Sequence, residues 1–317
     1  MVKTKDSFFE ADLEEKILSF HRNIHPLNKV NSVDDRRYFV SLLISEIKEF
    51  QNLSEQNNQL YTDKNGLDLD HADFNPLQLI IQYIREKQTD EACWLLFLYT
   101  YIGKHPKFEW NLLKKIYSGT YGSTPWKWED IRNNDEAFQH WLWENLAIIS
   151  EKSGLGEHHK YSHLDQSKGI AMGRDILEYI TWVKDSENHI GLLNKVRETE
   201  TKPTEIFQKL YQSMDAKTSF NKLIKFSYLN LISTLNIFPM EPGHPYLNDF
   251  ILSKRGAQNL FEGKNRKKIS ADRLNELFIA FHTHLGLTSG LQVLQKTLAK
   301  WGKEKFRTER QNFRKHH

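Results

Sequence analysis

Apolar side chains recur along most of this chain at intervals of three and four residues. Phe39, Leu43, Ile47 and Phe50 fall on one helical face, as do Ile224, Tyr228, Leu231 and Leu235, and Leu291, Leu294, Leu298 and Trp301. That spacing marks amphipathic helices. No run keeps the two-residue alternation of a half-buried strand, and no hairpin dipeptide separates two such runs. The pattern predicts an all-α, multi-helix globular fold of about ten to twelve helices without a substantial sheet.

Polar and Gly/Pro-rich stretches divide the pattern. Residues 52–76 read as a long loop, 118–128 as a glycine- and aromatic-rich connection, 153–169 as a histidine-rich connector and 197–204 as a polar joint. The strongest break is 236–249, which holds three of the chain's eight prolines within seven residues. Such a loop holds its side chains in place at low entropic cost. These breaks predict an N-terminal helical extension over 1–78, a two-lobed helical domain over 79–305 jointed near 197–204, and a basic tail over 306–317.

Composition narrows the class. With 317 residues and 39% hydrophobic content the chain can bury a sizeable core, which excludes wholesale disorder. The net charge of +3 conceals an asymmetry: residues 1–100 carry 11 basic and 17 acidic side chains, residues 201–317 carry 20 and 9. A basic C-terminal part is the expected footprint of polyanion binding. The single cysteine, Cys93, sits in an apolar run and reads as a buried, reduced thiol, so no disulfide framework exists. This fits a cytoplasmic location, as does an N-terminus without the apolar core of a signal peptide. The longest apolar stretch, Cys93–Ile102, is about half of the ~20 residues a membrane span needs, so no membrane contact is expected.

Four groups of residues could carry chemistry. The proline loop presents Glu241, His244, Tyr246 and Asp249, with Lys225 and Tyr228 on the helix entering it and Lys254, Arg255 and Gly256 after it. Carboxylates beside cations in a fixed loop suit general acid/base work or stabilisation of a sugar cation. An Arg-Gly pair opening a helix suits phosphate binding. The alternative is a stiffened helix connection with solvated charges. The segment Glu157–Asp165 would, if helical, put His159 and His163 on one face. No carboxylate or cysteine follows in a metalloenzyme pattern, so no metal or other cofactor is expected. Lys160, Tyr161 and His159 suit phosphate or base contacts, or simply a polar loop. Trp126 and Trp128, with Lys127 and Tyr121 nearby, could stack an unpaired base, although core anchoring is the commoner fate of tryptophan. The two glycines of Leu285–Gly290 could offer amides to a phosphate or merely cap a helix.

Several of these segments together resemble one family. They are WLLFLYTYIGKHPKFEWNLLKKIYSG (94–119), PWKWEDI, HHKYSHLD, SFNKLIKFSYLNLI, FPMEPGHPYLNDFILSKRGAQNLFEG (238–263) and LGLTSGLQVLQKTLAKWGK. Over roughly residues 80–305 the sequence is similar to the alpha-glutamyl/putrescinyl thymine pyrophosphorylase superfamily, most nearly its clade 3. That superfamily is similar in turn to helix-hairpin-helix DNA glycosylases and is associated with phage DNA hypermodification and, in some bacterial members, with excision of modified bases as phage defence. The resemblance implies DNA with a modified base as partner. It strengthens the proline loop, Lys160 and Tyr161 as site residues. Glycosylases of the related fold place an Asp after a Gly-rich hairpin. No such hairpin precedes Asp249, and Glu241 competes with it for the catalytic role.

Three readings follow. A DNA glycosylase would flip a modified base from the stack and cleave its N-glycosidic bond, with Asp249 or Glu241 stabilising the sugar cation and His244 assisting. A transferase would attach an amine or amino acid to a pyrophosphorylated thymine and would need a second, small-molecule pocket. A non-catalytic module would only recognise modified DNA.

Overall fold

The computed structural model describes residues 5–56, 65–69, 71, 73–119, 125–262, 268–287 and 290–315. Among them are fifteen α-helices, two 3-10 turns and no strand. The fold is all-α, with more helices than the periodicity predicts. The excess comes from short elements such as Trp128–Asn133 and Leu146–Ser150, which are too brief to show a helical period.

The chain forms two units, 54–241 and a discontinuous one made of 1–53 and 242–317. The expected boundary at 78–79 is therefore not where the contacts divide the chain, and the joint at 197–204 lies inside a unit. In the discontinuous unit, helices α1 (Lys5–Asn23) and α2 (Val33–Gln56) share one core with α13 (Ile251–Phe261), α14 (Ala271–Leu285) and α15 (Leu291–Lys315). Phe20, Phe39, Phe261, Phe281 and Trp301 meet there, with Phe20 and Phe281 edge to face at 4.8 Å. Burying the apolar stripes of both chain ends in one core explains why residues without a visible motif are still needed for the fold. Glu46, on the inner side of α2, is paired with Lys300 of α15.

The unit 54–241 is built on α4 (Thr89–Ile102), which is apolar all round and buried along most of its length, as a helix enclosed by others must be. Around it lie α3 (Pro76–Arg85), α5 (Asn111–Tyr117), α6 (Trp128–Asn133), α7 (Asp135–Glu144), α8 (Leu146–Ser150), α9 (Gln166–Lys184), α10 (His189–Arg197), α11 (Pro203–Lys217) and α12 (Lys222–Thr234). Helix α3 starts where sequence rules place a start, with an Asn75 cap and Pro76 at its first position. In the core, Phe97 and Tyr179 stack face to face at 3.6 Å. A chain of polar groups crosses it: Asp90 Oδ1 lies 3.0 Å from His189 Nδ1, His189 Nε2 lies 2.7 Å from the Tyr179 hydroxyl, and that hydroxyl lies 2.8 Å from Tyr228 Oη. These bonds satisfy groups that would otherwise be costly to bury, and they tie α4, α9, α10 and α12 together. Cys93 is fully buried beside them, and burial pushes its thiol well above the usual range. No helix among the described residues is long and apolar enough to cross a membrane.

Candidate functional site

The proline loop leaves one unit and enters the other. Its first half is anchored in the unit 54–241, where the Ser233 hydroxyl donates to the Met240 carbonyl and the Glu241 amide donates to the Pro203 carbonyl at 3.2 Å. Glu241 itself is exposed. The second half belongs to the discontinuous unit. There the His244 ring stacks on Tyr246 at 4.0 Å, and the Pro245 carbonyl accepts from the buried Gln295 amide at 3.0 Å. Tyr246 has φ of 48°, the left-handed region that costs a non-glycine residue on the order of 1 kcal/mol. That bend lets the Asp249 amide donate to the Tyr246 carbonyl at 2.9 Å, and the Asp249 charge acts on both the His244 and the Tyr246 side chains. Burial lowers the His244 pKa, opposed by the Asp249 charge. Burial and Asp249 together push the Tyr246 hydroxyl up to about 12. Two of the three expected catalytic residues, His244 and Asp249, thus share one cluster, while Glu241 belongs to the other unit.

Arg255 and Gly256 do not open a helix. Helix α13 begins at Ile251, so both lie in its interior. Gly256 is there for packing: a Cβ on it would lie 1.9 Å from the Leu298 carbonyl oxygen of α15. Arg255 is exposed, and Lys254 donates to Asn248 Oδ1 at 2.9 Å. The missed helix start has a local cause. Phe250, at the N-cap, makes no side-chain capping bond, so the usual Ser/Thr/Asp/Asn signal is missing.

Four residues expected to face DNA are placed elsewhere. Lys225 is 2% exposed, with Nζ 2.9 Å from Asp215 Oδ1 and 2.8 Å from the Thr218 carbonyl. Tyr228 ends the polar chain described above. Trp128 is buried against His189 and Trp94, with its amide donating to Glu91 at 2.7 Å. Trp126 packs half-buried between Phe138 and Trp141. Lys225 and Tyr228 lie on the buried side of α12, and the two tryptophans are drawn in by their large apolar rings, which pack on Trp94, Phe138 and Trp141. Tyr121, Thr288 and Ser289 lie outside the described residues.

The histidine-rich connector is not the helix that would align His159 with His163. It folds as a tight loop in the unit 54–241. A 3-10 turn over Glu157–His159 is followed by two consecutive left-handed residues, Lys160 at φ 57° and Tyr161 at φ 53°. Gly156 permits this by packing directly on Gly103, where a Cβ would fall 2.6 Å from the backbone carbon. The loop and α9 enclose an open pocket of about 350 Å³ lined by Tyr101, Leu155, His158, His159, Lys160, Ser162, Lys168, Ala171 and Asp175. At its base the Tyr101 hydroxyl donates to Asp175 Oδ2 at 2.8 Å. The His159 Nε2–H donates to the Tyr101 carbonyl at 2.8 Å, and burial lowers the His159 pKa. Tyr161 stands 50% exposed beside it. The pocket is thus lined by Lys160, by Lys168, whose ammonium is held 2.7 Å from Asp165, by the Asp175 carboxylate bonded to Tyr101, and by the Tyr101 ring, a mixed polar and aromatic lining suited to a small polar ligand. Sequence reading found His159, Lys160 and Tyr161 but missed Tyr101, Lys168 and Asp175. A signal existed for Asp175: it shares the buried stripe of α9 with Met172, Ile176 and Tyr179, and a charge on an apolar stripe demands a partner.

Among the described residues no three His, Cys, Asp or Glu side chains converge as metal ligands would. The charge asymmetry resolves by unit. The discontinuous unit carries 23 basic and 15 acidic residues, for a net +8, and the unit 54–241 carries 21 and 26, for a net −5. Residues 34–311 match the family model of alpha-glutamyl/putrescinyl thymine pyrophosphorylase clade 3. The chain belongs to that family, whose name is that of an enzyme acting on modified thymine. No curated protein and no solved structure matches it.

Proposed function

We propose that this member of the family acts on a modified thymine in DNA, with the target base swung out of the stack and its N-glycosidic bond cleaved. Membership of the thymine pyrophosphorylase family over residues 34–311 carries the modified thymine as target, and the Asp249–His244 cluster is what favours cleavage of its glycosidic bond. The +8 net charge of the discontinuous unit supports DNA as the polyanion held, with Arg255 and Lys254 among the phosphate contacts. Within the unit 54–241, Lys160, His159 and Tyr161 are by themselves candidate nucleic-acid contacts, where the exposed Tyr161 ring can stack on a base.

Asp249 is the favoured catalytic carboxylate. As the C1′–N bond breaks, its electrons leave with the base, and positive charge grows on the sugar beside Asp249. Water then attacks C1′ and gives up its proton toward the Asp249–His244 pair. With its pKa lowered by burial, His244 is neutral at neutral pH and assists as a proton acceptor.

A second reading is group transfer, in which an amine or amino acid is attached to a pyrophosphorylated thymine as pyrophosphate leaves. The family name favours it. One experiment separates the two. The purified protein is incubated with unmodified and hypermodified phage DNA, with and without amines. Free base and abasic sites support cleavage, and an amine-dependent mass gain of the DNA supports transfer. DNA left chemically unchanged in every arm overturns the proposal of an enzyme.

A further inference from the structure

Helix α13 begins with two aliphatic residues turned to solvent. Ile251 is 65% exposed, the most exposed large apolar side chain among the described residues, and its neighbour Leu252 is 38% exposed. The exposure follows from helical geometry. The buried face of α13 is Ser253, Gly256, Ala257, Leu260 and Phe261. Gly256, with Gly302 of α15 against the Leu252 carbonyl, holds that face tightly on α15. With the helix pinned, Ile251 and Arg255, one turn apart, point away from the core. A solvent-facing surface gains nothing from an aliphatic pair at such a position, and scattered single aliphatics are the ordinary case. This pair is contiguous and follows at once on the His244–Tyr246–Asp249 cluster. It is succeeded by Lys254 and Arg255, in a unit with a net charge of +8.

An apolar point flanked by cations fits one kind of partner well. Lysine and arginine side chains hold phosphates, while aliphatic side chains slide between base pairs and replace the stacking they break. We propose that Ile251 and Leu252 form a wedge that enters the base stack of bound DNA and holds open the step from which a base leaves. The proposal rests on the reading that the protein acts on DNA. It goes beyond that reading by assigning the unstacking to two named residues with no polar chemistry.

The test uses the full-length chain and a DNA duplex carrying 2-aminopurine next to a thymine, whose fluorescence rises on unstacking. Binding is followed separately by anisotropy. With the natural protein, fluorescence rises on binding. With I251A/L252A, affinity falls by less than about tenfold, because charge contacts supply most of it, while the fluorescence rise is lost. I251M/L252M restores the rise. Both side chains are exposed, so the variants keep the natural melting temperature. A variant that binds DNA and unstacks it like the natural protein overturns the wedge, as does a natural protein that binds without unstacking. A change in oligomeric state caused by I251A/L252A would also overturn it, by making the patch an interface between copies of the chain. No DNA binding by the natural protein at all would instead defeat the underlying reading.

Discussion

The Lys225 ammonium lies 2.9 Å from the Asp215 carboxylate with 2% of the lysine exposed, so a residue that reads as a DNA contact in the sequence is an internal tie between α11 and α12. Its second partner, the Thr218 carbonyl at 2.8 Å, closes the turn between those helices. Replacing Lys225 with Met keeps the stem but strands the Thr218 carbonyl and leaves Asp215 with only Lys222, 3.3 Å away. We expect a loss of about 2–4 kcal/mol, below the cost of a fully enclosed pair because Asp215 retains some solvent. Urea melts check this. The exposed Arg255→Ala should leave stability within about 0.5 kcal/mol and weaken DNA binding by about tenfold or more. A Lys225→Met protein as stable as the natural one would refute the assignment.

Gly256→Ala should destabilise the discontinuous unit by about 2 kcal/mol or more, because the new methyl must displace the Leu298 backbone, which cannot rotate away. Thermal melts should register the loss. A neutral or stabilising outcome, the usual result of glycine to alanine in an unhindered helix, would mean that α13 and α15 are not packed as described.

Protonation should weaken the fold below neutral pH. Burial holds His189, His159 and His244 below the ordinary value of 6.5. The unfolded chain therefore binds more protons than the folded one as pH falls through that value, and stability declines with it. The decline ends once pH has passed below the folded pKa values. His189 should dominate, since it is enclosed by Asp90, Tyr179 and Trp128. Denaturant melts at pH 7.5, 6 and 5 test this, and the His189→Gln variant should show a smaller slope. Equal or greater stability at pH 5 would contradict it.

On a verified substrate, Asp249→Asn should cost about a hundredfold or more in rate, with fold and DNA affinity retained. Glu241→Gln should cost little, because Glu241 is exposed and shares no unit with His244. Full activity in both variants would move the chemistry to the pocket, where Asp175 becomes the candidate.

DNA affinity should fall steeply with salt, by a log–log slope near −0.9 per phosphate contacted. Because the +8 charge belongs to residues 1–53 together with 242–317, neither chain end should reproduce it alone. Salt-independent binding would refute the electrostatic account.

Helical class, the breaks at 197–204 and 236–249 and the buried state of Cys93 were legible in the order of residues because each depends on local periodicity or on breakers, whereas α2 runs to Gln56, into the expected loop 52–76, of which 57–64 lie outside the described residues. The family was legible in a few unusual segments. Charge asymmetry was visible too, but only as a property of the C-terminal third. It took tertiary structure to join residues 242–317 of that third to residues 1–53, because a stripe of apolar side chains specifies that a helix is covered but not which helix covers it. The same limit decided the site. In sequence, Lys225, Tyr228 and Trp128 carry the same polar atoms as true surface ligands. Only the packing of α4, α9, α11 and α12 shows the Lys225 ammonium spent on Asp215, the Tyr228 hydroxyl on Tyr179 and the Trp128 ring buried against Trp94 and His189. Conversely, Tyr101 and Asp175 lie 74 positions apart and look like core residues. They become the base of a pocket because two left-handed residues bend the histidine-rich loop over them, a backbone conformation that side-chain pattern does not encode.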